Sequence, residues 1–341
     1  MAVAGWLDPA PFLRGTAWLE GGRPVRADPA DAVRLPWDTA ERAALPIGVR
    51  LEFTASAATR AVEIRYRANV PDPADPLHGC AHCFGLWRGD RCVREVLASP
   101  APTGSVTLPL PPGGGPFTVY PPESQAPVIL GVRPVGGAVA PAPRRPRWVV
   151  YGDSITEGWW STRPARAWPA VAGRALGLDA VNLGYAGSAR GEPPVAQQLA
   201  RLPAALLTVA FGTNCWDGVP YSAPLLYETT RAFVGLVRRN RPDTPLLVVS
   251  PLLRPAAESA ANALGADLAD LRAAVEAAAR DLVAAGDERL ALLPGRDLLA
   301  PEHLADGLHP NDTGHARLAA AVAGAVRATG FPGAPDARAR S

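Results

Sequence analysis

The hydrophobic period of the chain changes near its middle, and that change restricts the fold to two kinds of layer. Val49, Leu51 and Phe53 alternate with Arg50 and Glu52, and Val62, Ile64 and Tyr66 alternate with Glu63, Arg65 and Arg67. Alternation with period two marks half-buried antiparallel strands. Shorter candidates follow at 84–87, 92–97, 105–110, 117–120 and 128–132, separated by Pro and Gly clusters such as 111–115. Many short strands with such punctuation predict an antiparallel β-sandwich domain over residues 1–135. Residues 136–147, rich in Pro, Gly and Ala, read as a linker stiffened by proline.

Beyond the linker, apolar runs at 148–151, 180–183, 206–211, 246–250 and 290–293 alternate with stretches of helical period. Leu264, Leu268, Leu271, Val275 and Leu282 share one helical face, and Leu318, Val322 and Val326 share another. Strands alternating with helices predict an α/β domain with a parallel, doubly wound sheet over residues 148–330. Residues 331–341 form a tail.

Composition narrows the function classes. The 341-residue chain carries a formal net charge of +2, and its one short basic cluster, 144–147, falls in the expected linker. Nucleic acid is therefore not an expected partner. No apolar run is long enough to span a bilayer, so no membrane partner is expected. The N-terminus lacks the pattern of a secretory leader, so the expected location is cytoplasmic. All basic side chains are arginine. Four cysteines (Cys80, Cys83, Cys92 and Cys215) are too few for a disulfide scaffold. His78, Cys80, His82 and Cys83, with Cys92 beyond, raise zinc as an alternative. Their spacing fits no standard pair of ligand knuckles, so a hairpin turning at Gly89-Asp90 is the expected reading and no metal or cofactor is expected.

Four elements of the second half carry chemistry, each at a strand end or in a loop. Ser154 lies in Gly-Asp-Ser-Ile-Thr, directly after the run 148–151 and before an expected helix. The sequence Asn-Leu-Gly-Tyr-Ala-Gly follows the next strand at 182–187, and Gly-Thr-Asn follows another at 212–214. Asp306 and His309 share the loop before the last helix. Serine is a poor nucleophile until a base removes its proton. His309 has the chemistry for that work near neutral pH, and Asp306 can fix its tautomer. The backbone N–H groups of Ser154 and Gly187 and the side chain of Asn214 can donate to the oxyanion of a tetrahedral intermediate.

These four segments resemble the motif blocks of the SGNH, or GDSL, hydrolase family. The resemblance implies a three-layer α/β/α, flavodoxin-like domain and a metal-free mechanism, with Ser154 as nucleophile, His309 as base and Asp306 as its partner. Gly187 and Asn214 become oxyanion donors with Ser154. A β-sandwich placed before such a domain is similar to a two-domain subgroup that includes carbohydrate esterases and a salicylyl acyltransferase of a tetracycline pathway. In that subgroup the sandwich helps to build the substrate pocket.

The expected function is hydrolysis, by a serine esterase, of an ester of an acylated small molecule or sugar. One alternative is an O-acyltransferase that passes the acyl group from a donor to an alcohol acceptor on a secondary metabolite. Another is a carbohydrate-binding protein with an inactive hydrolase domain. Trp159, Trp160 and Trp216 are candidates for an aromatic substrate pocket, with core cover as their competing role. Arg190 and Arg254 lie near expected strand ends, where surface solvation is the expectation for both.

Overall fold

A computed structural model of the chain describes residues 5–68, 82–98 and 102–331. The apolar runs of the second half are strands because helices cover both of their faces. In spatial order the strands are Asp179–Gly184, Arg147–Gly152, Leu206–Ala210, Leu246–Val249 and Leu290–Leu293, all parallel. Numbered along the chain, that order is 2-1-3-4-5, the flavodoxin-like arrangement. The strand Arg147–Gly152 therefore sits at the topological switch point, and its carboxyl end opens into the crevice where ligands bind in such sheets.

Side chains alternate across this sheet. Val149 and Tyr151 face a core shared with Val195, Leu199, Phe233, Val237, Leu271 and Val275. Those residues belong to the helices Pro193–Arg201, Ala223–Arg238 and Leu268–Ala284. Trp148 and Val150 face the other way, onto Trp168, Leu176, Leu318, Val322 and Val326, which lie on the helices Trp168–Leu176 and Asp312–Ala328. Leu264, expected on the third of these helices, lies outside it and is exposed. Asp267 accepts from Asp270 N at 2.8 Å and so caps the helix after Leu264.

Among the described residues, the two larger sheets of the first half are antiparallel. One runs Leu13–Arg14, Arg50–Ala55, Gly115–Tyr120, Cys83–Arg88 and Arg91–Leu97, and the other Val128–Val135, Ala61–Arg67 and Thr103–Pro109. Phe53, Ile64, Tyr66, Phe84, Leu86, Phe117 and Val119 form the core of this region.

Two stretches depart from the sequence reading. Val139–Pro141, inside the expected linker, pairs antiparallel with Arg50–Ala55. Proline is tolerated there because the strand is at the edge of its sheet. Residues 16–46, assigned by sequence to the sandwich, pack against the α/β domain instead. They form the hairpin Trp18–Glu20 and Arg23–Val25, the turn Pro29–Arg34 and the helix Trp37–Ala43. Ala27, Leu35 and Ala43 share the core that holds Tyr151 and Leu199. These elements are too short for periodicity to reveal where they pack.

The two regions meet through buried charge. Asp179, at the start of the edge strand, accepts from Gly15 N at 2.9 Å and from Arg50 Nη2 at 2.8 Å. Arg50 Nε donates to Glu52 Oε1 at 2.7 Å and its Nη1 to the carbonyl of Ala180 at 3.2 Å. Paired charges of this kind are tolerated in an interior, whereas an unpaired one is costly.

Candidate active site

The strand Arg147–Gly152 ends in Asp153, whose carboxylate accepts from Ile155 N at 2.9 Å and caps the short helix Ser154–Glu157. This helix is a single turn. So short a helix carries little dipole. Burial pushes the Asp153 carboxyl up to about 6 in spite of those bonds. Gly184 lets the turn lie close against the neighbouring strand, since a Cβ there would stand 2.2 Å from Glu157 N.

Ser154 Oγ lies 2.8 Å from His309 Nε2, and His309 Nδ1 lies 2.7 Å from Asp306 Oδ2. Ser154 and His309 are both buried. Asp306 Oδ1 accepts from the backbone N–H of Leu308 at 3.0 Å and of His309 at 2.8 Å. Burial raises the Asp306 carboxyl, but the bonds from the His309 backbone, the His309 ring and Leu308 outweigh it and hold the group below the usual carboxylate range. An ionised Asp306 accepts from Nδ1–H and leaves Nε2 as the acceptor facing the serine.

The loop that carries this pair is pinned at its base. Leu304 bridges Pro310, Ala305 N donates to the carbonyl of His309 at 2.8 Å, and Asn311 N donates to that of His303 at 2.9 Å. Trp159 stacks on His309, with ring centroids 5.2 Å apart at 28°. His315 holds the Trp159 backbone in turn, its Nε2 donating to the Trp159 carbonyl at 2.9 Å while Nδ1 accepts from Trp168 N at 3.3 Å. Burial lowers His315 to about 4, so it is a neutral bridge.

Gly187 lies in the loop after Asp179–Gly184, with φ +72°, and apart from its chain neighbours nothing stands within 4 Å of where its Cβ would be. Asn214 lies in the short turn Thr213–Cys215, and its Nδ2 donates to the carbonyl of Ala189 at 3.3 Å. That bond links two of the expected oxyanion donors through one loop and leaves the second amide hydrogen of Asn214 for another acceptor. From below, the loop is braced by Tyr151, whose hydroxyl donates to Glu192 Oε2 at 2.7 Å and accepts from Gly191 N at 2.9 Å.

The three tryptophans separate. Trp159 joins the serine and histidine, whereas Trp160 is 44% exposed in the left-handed region at φ +64°. Trp216 donates from Nε1 to the carbonyl of Ala260 at 2.7 Å and lies under Arg254, 4.5 Å from its ring centroid. Arg254 thus serves protein packing, and Arg190 is committed as well. Arg190 Nη1 donates to the Gly187 carbonyl at 2.7 Å and Nη2 to Asp38 Oδ2 at 2.6 Å. The surface solvation expected for both arginines is corrected by these contacts. Of the cysteine and histidine group weighed for zinc, His78 and Cys80 lie outside the described residues. Cys83 and Cys92 carry free thiols. Among the described residues no three metal-ligating side chains gather, and no helix is long and apolar enough to cross a membrane.

Residues 150–317 match the GDSL-like lipase/acylhydrolase family. The match runs from the first strand of the α/β region into its last helix. Likeness to solved structures extends over both regions. The salicylyl-acyltransferase SsfX3 from a tetracycline biosynthetic pathway is 26% identical, over 93% of this chain and 94% of that one, with a TM-score of 0.78. A GDSL-like lipase structure from Bacteroides ovatus is 21% identical, over 95% and 97%, with a TM-score of 0.78. A family two carbohydrate esterase from Clostridium thermocellum is 16% identical, over 82% and 91%, with a TM-score of 0.61. The last two share the fold. No protein of curated function matches the chain in sequence. With this match, the protein is an enzyme acting on ester bonds.

Sequence reading missed the groups around this site. Glu157 Oε2 accepts from Ala186 N at 2.8 Å and lies 3.7 Å from Arg26 Nη2. Arg42 stands over the Trp159 ring at 5.3 Å. Arg26 and Arg42 come from residues 16–46, more than 100 positions before the groups they touch, and no local pattern announces them.

Proposed function

We propose that the protein is a serine esterase that cleaves an ester of an acylated small molecule or sugar through an acyl-serine at Ser154. The observation that carries this reading is the continuous line from Ser154 Oγ to His309 Nε2, 2.8 Å, and from His309 Nδ1 to Asp306 Oδ2, 2.7 Å.

In the first half-reaction Ser154 Oγ attacks the ester carbonyl carbon while its proton passes to His309 Nε2. Asp306, held ionised, stabilises the imidazolium and keeps its orientation. The negative charge that develops on the former carbonyl oxygen faces the N–H groups of Ser154 and Gly187 and the free amide hydrogen of Asn214. When the intermediate collapses, the C–O bond to the leaving alcohol breaks, and that alcohol takes the proton from His309. In the second half-reaction a water gives a proton to His309 Nε2 as its oxygen attacks the acyl carbon; the C–Oγ bond then breaks, Ser154 Oγ takes the proton back from His309, and the acid is released.

A second reading replaces water with a bound alcohol, which makes the product a new ester. What favours it is the likeness to the salicylyl-acyltransferase, at 26% identity over both regions. The reading of an inactive hydrolase domain fused to a sugar-binding module is disfavoured by the intact serine, histidine and aspartate contacts. Turnover of a chromogenic acetate ester, with and without a panel of alcohols, tests the choice. Esterase action predicts release at a rate no alcohol changes and an acid as the only acyl product. Ester products that rise with alcohol concentration would support transfer instead.

A further inference from the structure

Gly187 has more backbone freedom than any other residue type would have there. Apart from its chain neighbours, no atom stands within 4 Å of its Cβ position, so packing from the rest of the fold does not restrain it. Yet the peptide that carries its N–H is bracketed. The preceding peptide is fixed by Ala186 N donating to Glu157 Oε2 at 2.8 Å. The following peptide is fixed by the Gly187 carbonyl accepting from Arg190 Nη1 at 2.7 Å.

Both anchors lead to the helix Trp37–Ala43 of the N-terminal region. Arg190 Nη2 donates to Asp38 Oδ2 at 2.6 Å, and Arg42 Nη1 lies 3.9 Å from Glu157 Oε1. Asp38 and Arg42 are four residues apart, so they share one helix face. That face also reaches the base, because Arg42 stands 5.3 Å from the Trp159 ring centroid and Trp159 stacks on His309 at 5.2 Å. Glu157 has a second cation in Arg26, 3.7 Å away, so the Arg42 side of the bracket is doubled and the Asp38 side is not.

The geometry points to Asp38 and Arg42 as positioning residues that hold the Gly187 N–H in its donor orientation, so that the N-terminal region completes the oxyanion hole without touching substrate. This inference rests on the reading of Gly187 as an oxyanion donor. A donor that is displaced rather than removed loses part of the 10²–10³-fold that its deletion typically costs.

The test is kcat and KM for a chromogenic acetate ester, with melting temperature measured alongside. Asp38→Asn is expected to lower kcat roughly 10-fold at unchanged KM, and Arg42→Gln to lower it less, about 3-fold, because Arg26 remains. Asp38→Glu, which keeps the carboxylate, should restore most of the loss. The double variant should fall short of the product of the two single effects, since both act on one peptide. Glu41→Gln, an exposed change on the same helix, should match wild type. Wild-type kcat in folded Asp38→Asn, or a raised KM with kcat unchanged, would overturn the inference. So would a fall in melting temperature alone. Asn214→Ala and Gly187→Ala separate the two levels of the claim. If neither lowers kcat, the oxyanion reading itself fails. If both lower it while Asp38→Asn and Arg42→Gln do not, only the positioning role fails.

Discussion

The two regions of this enzyme contribute to one site in different ways. The α/β domain supplies every group that the proposed mechanism uses, each on a loop at a strand end or just before the last helix. The N-terminal region supplies none of these, yet its arginines and Asp38 reach the loops that carry them. The comparison teaches that chemistry here is local and orientation is long-range. A strand end at a topological switch point is enough to present Ser154. Holding a glycine-rich loop and a stacked tryptophan in place draws on contacts more than 100 residues away in sequence.

The largest effect that can break this contrast lies in the α/β domain. Ser154→Ala should lower ester turnover by on the order of 10⁴-fold or more, while the melting temperature stays near that of wild type. Residual activity near wild type would remove Ser154 from the mechanism.

The next effect lies at the junction. Arg50→Ala leaves the buried Asp179 without its cation, while Glu52 keeps Arg145. A loss of about 3–5 kcal/mol is expected, read by denaturant unfolding, with both regions unfolding in one transition. Two separated transitions in the wild-type protein would show that the regions are less tightly joined than these contacts imply.

A smaller, pH-dependent effect concerns Glu123, which accepts from Gly48 N at 2.5 Å. Burial pushes its carboxyl up to about 8, against the Gly48 bond and nearby Arg26. Its folded-state value therefore lies above the unfolded one, and the native state holds a proton that the unfolded chain releases. Stability from this group falls as pH rises from about 4.5 to about 8. Glu123→Gln removes the dependence, so its melting temperature relative to wild type should climb across that window. A flat difference would contradict the assignment.

The smallest effect concerns Trp160, whose left-handed backbone strains a bulky residue. Trp160→Gly should relieve about 1 kcal/mol of that strain. If the ring also serves a ring-bearing substrate, KM for an aryl ester should rise while KM for an acetate of a small alcohol does not. A melting temperature below wild type would show that the ring has a packing role instead.

These contrasts also mark what was legible in the sequence. That Ser154, Asp306 and His309 come together was legible, because strand, turn and loop signals lie within a few residues of each. The parallel sheet was legible because helices on both faces make its strands continuously apolar. Trp159 stacks on His309, but its adjacency to Ser154 in sequence said nothing about Trp160 turning outward or Trp216 binding the carbonyl of Ala260. The segment 16–46 was assigned to the wrong neighbour because its elements are too short to carry a period. Val139–Pro141 was hidden by prolines that suit an edge strand as well as a linker. Arg190 looked like a solvated cation because the carboxylate that pairs with it, Asp38, lies in the other region of the chain.

The most direct test of the account is intact-mass analysis of the enzyme quenched during turnover of a panel of acyl donors, with peptide mapping of any adduct. The account predicts one acyl group on Ser154, absent from Ser154→Ala, released as acid by water or as a new ester by an accepting alcohol. An adduct on another residue, or one that persists in Ser154→Ala, would contradict it.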